Sequence, residues 1–107
     1  MPSFDDREKA YENKYAHDQE LEFKAVARRN KLLGLWAAKL MGHDDAEAAE
    51  YAKAVVKADF EEAGHEDVFR KIRGDFDARG IEQTDHQIRH KMEQLLEEAR
   101  KQVREQS

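Results

Sequence analysis

An all-α, four-helix bundle with a disordered or frayed N-terminal arm is predicted for this 107-residue chain from three observations. The composition is helix-forming: Glu, Lys, Arg, Ala, Leu and Gln dominate, with five Gly and one Pro, at position 2. Apolar residues recur at three-and-four spacing in four successive stretches, the period that gives a helix one apolar face. Each stretch after the first is set off by short capping and Gly signals, so the connections are short and the helices pack as mostly antiparallel neighbours. A three-helix bundle with the third helix as a loose cover is the alternative, because Asp67, Gly74 and Asp77 weaken that segment.

Residues 1–20 hold six acidic and three basic side chains, and their only large apolar groups are Phe4, Tyr11 and Tyr15. Spaced by seven and then four, these three would form one narrow stripe on a helix, which Ser3 with Asp6 would open as a capping box. Such a stripe builds no core of its own, so the segment is expected to fold on a partner, or else to stay a solvated tail.

The first long helix is expected from about Asp18, as N-cap, to Met41, with Phe23, Val26, Ala27, Asn30, Leu33, Trp36, Ala37 and Leu40 facing inward and Gly42 as the stop. Asp44 with Glu47 is an acidic capping box for a second helix, Asp45 to about Ala63, with Ala48, Tyr51, Ala52, Val55 and Phe60 inward and Gly64 closing it. The third, about Glu66 to Ala78, presents Val68, Phe69, Ile72 and Phe76 and ends at Gly80. Thr84 with Gln87 opens the fourth, whose Ile88, Met92, Leu95, Leu96, Ala99 and Val103 make the clearest amphipathic stripe.

Composition narrows the chemistry. Without cysteine there are no disulfides or thiolate nucleophiles. The acidic, signal-free start and the lack of any stretch of ~20 apolar residues predict a cytoplasmic protein with no direct membrane insertion. A net charge of −5 disfavours broad binding to a phosphate backbone, so no nucleic-acid partner is expected.

Four local features invite a functional reading. His86 and His90, four apart, could share a metal, but no third ligand is evident and exposed histidines are expected instead. His17 beside Asp18 has no nucleophile, oxyanion donor or phosphate loop to work with, so no enzyme is expected. Arg28-Arg29-Asn30-Lys31 is the densest basic cluster; Arg28, Arg29 and Lys31 fan around a helix and read as a solvated face, with nucleotide contact as the competing use. Trp36 reads as core rather than as a stacking platform.

Phe4-Asp5-Asp6-Arg7-Glu8, Ala16-His17-Asp18, the run from Ala27 to Ala38 (ARRNKLLGLWAA) and the run from Glu66 to Ile72 (EDVFRKI) together resemble the zeta subunit of alphaproteobacterial ATP synthases. The resemblance spans essentially the whole chain, the last helix by pattern more than by identity. It implies an inhibitor of ATP hydrolysis, with residues 1–18 as the inhibitory arm and 19–107 as an anchoring bundle. The arm would enter a catalytic interface between alpha and beta subunits and touch the gamma shaft. Phe4, Tyr11 and Tyr15 would be anchors; Asp5, Asp6, Arg7, Glu8 and Lys9 would set orientation, and His17 would lie near the hinge. The resemblance further implies a location peripheral to the inner membrane through the synthase; no cofactor is expected, and because the bundle needs no partner for its core the free chain is expected to be a monomer. A helical adaptor or adenine-nucleotide-binding regulator without strong inhibition is the competing function.

Overall fold

The computed structural model describes residues 4–60 and 66–106, with side chains from His17 onward. Four helices follow one another: α1 Phe4–Leu40, α2 Asp45–Ala58, α3 Glu66–Arg79 and α4 Asp85–Gln106. Among the described residues there is no strand. The all-α, four-helix architecture is the one the sequence predicts.

The helix ends are built by the residues whose local chemistry marks them. Asp44 Oδ1 accepts the Glu47 backbone N–H at 2.8 Å and Glu47 Oε1 accepts that of Asp44 at 3.3 Å, a capping box that satisfies two otherwise orphaned donors. Thr84 and Gln87 repeat the arrangement at α4, at 3.1 and 2.8 Å. At the other ends Gly42 and Gly80 take φ of 80° and 69°, which lets the N–H of His43 reach Ala38 O and that of Ile81 reach Phe76 O, the closing bonds of Schellman turns.

α1 packs most extensively, against α2 on one side and α4 on the other. The main core gathers Leu33, Ala37, Val55, Val68, Phe69, Ile72, Phe76, Ile88 and Met92. Trp36 is half-buried and meets Phe76 edge-on, with centroids 5.7 Å apart. Because α3 buries Val68, Phe69, Ile72 and Phe76, it is a full member of the bundle and not a loose cover. A second, smaller core of Ala25, Ala99 and Val103, flanked by Leu21 and Leu32, pairs α1 with the end of α4.

Three expectations are corrected. Asp18 caps nothing: α1 already begins at Phe4 and passes through it, since Glu, Gln, Lys and Ala on either side all favour helix. α2 stops at Ala58 rather than near Ala63, and Gly64 lies outside the described residues; Asp59, Glu61 and Glu62 would crowd negative charge onto the negative end of a longer helix. Phe23, Leu40 and Phe60, expected inward, are 62, 39 and 65% exposed. Phe23 and Phe60 lie beyond the reach of the main core, and Leu40 is the last residue of its helix.

At Gly34 the backbones of α1 and α2 approach closely. A Cβ there would stand 2.6 Å from Ala52 Cα, a backbone atom that moves only with its helix. Gly74, in α3, has nothing within 4 Å of the same position. Helix propensity alone favours Ala over Gly by about 1 kcal/mol at both sites. Overpacking at Gly34 costs roughly 1–3 kcal/mol and outweighs it. In thermal melts Gly34→Ala is therefore expected to lower the midpoint and Gly74→Ala to raise it.

α2 and α3 are also joined by a polar contact. The Tyr51 hydroxyl donates to Asp75 Oδ2 at 2.6 Å, Lys71 Nζ donates to the same oxygen at 3.2 Å, and that ammonium lies 5.1 Å from the Tyr51 ring centroid. Burial, and then the Asp75 carboxylate, push the Tyr51 phenol well above its ordinary value. In the unfolded chain the phenol ionises near pH 10. The stabilisation is thus fully present below about pH 10 and is lost as pH rises from there toward the folded value, at no more than about 1.4 kcal/mol per pH unit. Denaturant titrations across pH 9–12 are expected to show this loss in the native chain and a shallower one in Tyr51→Phe.

Candidate functional site

The segment singled out by the sequence forms the first turns of α1. From Phe4 its backbone is helical and continuous with the helix that enters the bundle. Phe4, Asp5, Asp6, Arg7, Glu8, Lys9, Tyr11 and Tyr15 have their side chains outside the described residues, and Ser3 lies outside altogether. His17, the last of the predicted arm residues, is exposed, as are Asp18, Gln19 and Glu20. Leu21 is the first described side chain of α1 to pack on the bundle, and Ala25 the first that is fully buried. About 17 residues of helix, roughly 25 Å at 1.5 Å per residue, therefore precede the first core contact among the described side chains.

The place where that helix meets the bundle is held by charge. Arg100 of α4 forms a two-pronged contact with Glu22, Nη2 to Oε1 at 2.7 Å and Nε to Oε2 at 3.0 Å. Both partners are half exposed, so the pair fixes geometry more than it adds stability. Two turns further along α1, Arg29 departs from the solvated face expected of it. It is 2% exposed, its Nε donates to Asn30 Oδ1 at 2.8 Å, and it shares the lining of a cavity with Met92 and Leu96 of α4. Burial lowers its pKa and nearby Arg100 adds to that, while Asp59 and Glu22 work in the opposite direction. The long apolar stem explains how a cation enters a helix interface, and the spacing on α1 alone does not reveal it.

Asn30, expected inward, is 1% exposed, and its Nδ2 has no hydrogen-bond partner among the described residues. Arg28 is half-buried and Lys31 exposed. Together with Lys24 they border a groove of about 480 Å³ whose apolar lining comes from Leu21, Phe23, Val56 and Val103. The basic cluster is thus divided: Arg28 and Lys31 face the groove and Arg29 lies within the bundle. The Phe23 and Phe60 rings meet beside it, 6.3 Å between centroids. Sequence periodicity assigned both to the core, and nothing in their spacing signals a surface pair.

His86 and His90 are exposed with ring centroids 6.4 Å apart, and among the described residues no group of three or more potential ligands gathers that could hold a metal ion. No described helix is long and apolar enough to cross a membrane. What these described surfaces offer is shape and charge for a macromolecular partner.

Comparison with known proteins bears on which partner. A family model described as ATPase inhibitor subunit zeta matches residues 1–102. Among curated proteins none matches. A structure solved by solution NMR is similar to this chain at 49% identity and a TM-score of 0.71, covering 81% of this chain and 99% of that one.

Proposed function

The chain belongs to the family of ATPase inhibitor zeta subunits, regulatory proteins of the ATP synthase, and from that premise we propose that it halts ATP hydrolysis by driving the first turns of α1 into a catalytic interface between alpha and beta subunits. The observation that supports this most is the unbroken course of α1 from Phe4 to Leu40, with Leu21 the first of its described side chains to pack on the bundle. Residues 1–18 are then the inhibitory arm and the helical domain from residue 19 is its anchor.

A helix wedged into that interface would act mechanically. Each hydrolysis cycle requires the interface to open and close, and a ligand that binds one of those states shifts the population toward it. Phe4, Tyr11 and Tyr15 fall on one stripe and serve as the apolar anchors, aromatic residues being the side chains that most often dominate such contacts. Asp5, Asp6, Arg7, Glu8 and Lys9 set orientation against the walls, the tip approaches the gamma subunit, and His17 stands where the arm leaves the enzyme. The working location is the cytoplasmic face of the inner membrane, reached through the synthase. The free chain is a monomer and the reaction needs no cofactor. A nucleotide-binding role draws less support, since Arg29 is buried and Arg28 and Lys31 border an apolar groove rather than a Gly-rich phosphate loop.

The test is ATP hydrolysis by the purified catalytic head, titrated with the full chain and with a chain starting at His17, which keeps every described core residue. Inhibition by the full chain alone is expected. Equal inhibition by both would place the active element in the bundle.

A further inference from the structure

Phe23 and Phe60 form a patch that the arm leaves unexplained. Single exposed apolar side chains are ordinary. Here two aromatic rings, each more than 60% exposed, meet beside a groove with an apolar lining. Lys24, Arg28 and Lys31 follow one another at four and three residues and so form a stripe along the same side of α1. Lys24 pairs with Glu20 at 3.4 Å across two largely exposed side chains, an arrangement easily exchanged for another. No carboxylate among the described residues pairs with Arg28 or Lys31. A basic stripe beside an aromatic pair is conspicuous in a chain of net charge −5.

The geometry points to this face as a second docking surface, occupied by an α-helix of the catalytic head that presents a large apolar side chain flanked by Asp or Glu. The inference rests on the reading of the arm given above and adds a contact to it. Charge selects an acidic partner, and an elongated groove with an apolar lining suits a helix laid into it. Continuity gives the location: Phe23 stands eight residues, about 12 Å, beyond Tyr15 on the same unbroken helix, so protein surrounding the arm at Tyr15 ends within reach of the face. A second copy of the chain is disfavoured, because a two-fold contact through this face would set the basic stripe against its own counterpart. The chain's own arm is disfavoured too, since α1 carries it straight away from the groove.

Two linked contacts make the second binding event intramolecular, so losing either weakens the whole. Labelled full-length chains would be titrated with the isolated catalytic head, and ATP hydrolysis followed in parallel. Phe23→Ala/Phe60→Ala removes two exposed rings and is expected to melt like the native chain. It should bind at least tenfold more weakly and still inhibit at saturation, whereas Phe4→Ala/Tyr11→Ala/Tyr15→Ala should lose inhibition and keep weak binding. Arg28→Glu/Lys31→Glu should also weaken binding and flatten its salt dependence.

If Phe23→Ala/Phe60→Ala binds as tightly as the native chain while the arm variant loses inhibition, the second surface is overturned and the arm reading stands. A native chain that neither binds nor inhibits overturns both. A native dimer in sedimentation that Phe23→Ala/Phe60→Ala disperses would give the face to a second copy and overturn the inference.

Discussion

Phe76→Ala is expected to cost about 3–5 kcal/mol of folding stability, the range for removing a fully buried aromatic ring. Phe76 has no exposed surface and lies in the main core with Ile72 and Ile88, where Trp36 packs edge-on against it. The loss has two parts: the transfer free energy of the ring, and the cavity that remains because helices fixed by their caps close only partly around it. Small domains are stable by about 5–15 kcal/mol in total, so a loss of this size leaves the fold marginal. With roughly 4–8 °C per kcal/mol for a domain of this length, the melting midpoint should fall on the order of 12–40 °C. A shift of a few degrees would mean that α3 is dispensable to the core and would revive the three-helix alternative.

Replacing Phe4, Tyr11 and Tyr15 together by Ala is expected to raise the concentration needed for half-inhibition at least about 100-fold, with no change in the melting midpoint. Aromatic anchors at the centre of an interface each contribute about 2 kcal/mol or more by alanine substitution, which is about 30-fold in affinity, and their effects do not simply add. Among the described residues both hydrophobic cores are built between Leu21 and Val103, so the bundle is expected to keep its core without the arm. The contrast is the informative part: Phe76→Ala should act through the fraction folded, and the arm variant through binding alone. An arm variant that inhibits like the native chain would remove these residues from the contact.

Much of the fold was legible in short stretches of sequence. Asp44 with Glu47 and Thr84 with Gln87 are capping boxes by residue type and spacing, and Gly42 and Gly80 sit where a helix ends in the left-handed conformation; all four are local effects that need no knowledge of neighbours. The inward faces of α3 and α4 followed from periodicity, because those helices have other helices over most of their length. Periodicity misled at Phe23 and Phe60, since a stripe shows which side of a helix is apolar and not where the helices covering it stop. Arg29 escaped for the converse reason: its charge predicts solvent, and only the packing of α4 over its stem buries it. Asp18 looked like a cap because an acid before a helical stretch can serve as one, yet no breaker residue accompanies it and α1 runs through.

The candidate site was legible to a different degree. The arm's stripe of Phe4, Tyr11 and Tyr15 can be read from spacing, but a segment without a core of its own does not reveal in isolation what it packs against. The spacing of the basic cluster predicts side chains fanned around a solvated face, whereas the structure gives Arg28 and Lys31 to the groove and Arg29 to the interior.

The central claim is that the first turns of α1 occupy a catalytic interface while the bundle stays outside it. The most direct measurement places a photo-crosslinking side chain at Tyr11 in one preparation and at His86 in another, each mixed with the catalytic head under turnover and illuminated. The account predicts adducts from position 11 to both alpha and beta subunits, formed in step with the loss of hydrolysis, and no such interface adducts from position 86. Interface adducts from position 86 with none from position 11, in a preparation that still inhibits, would contradict it.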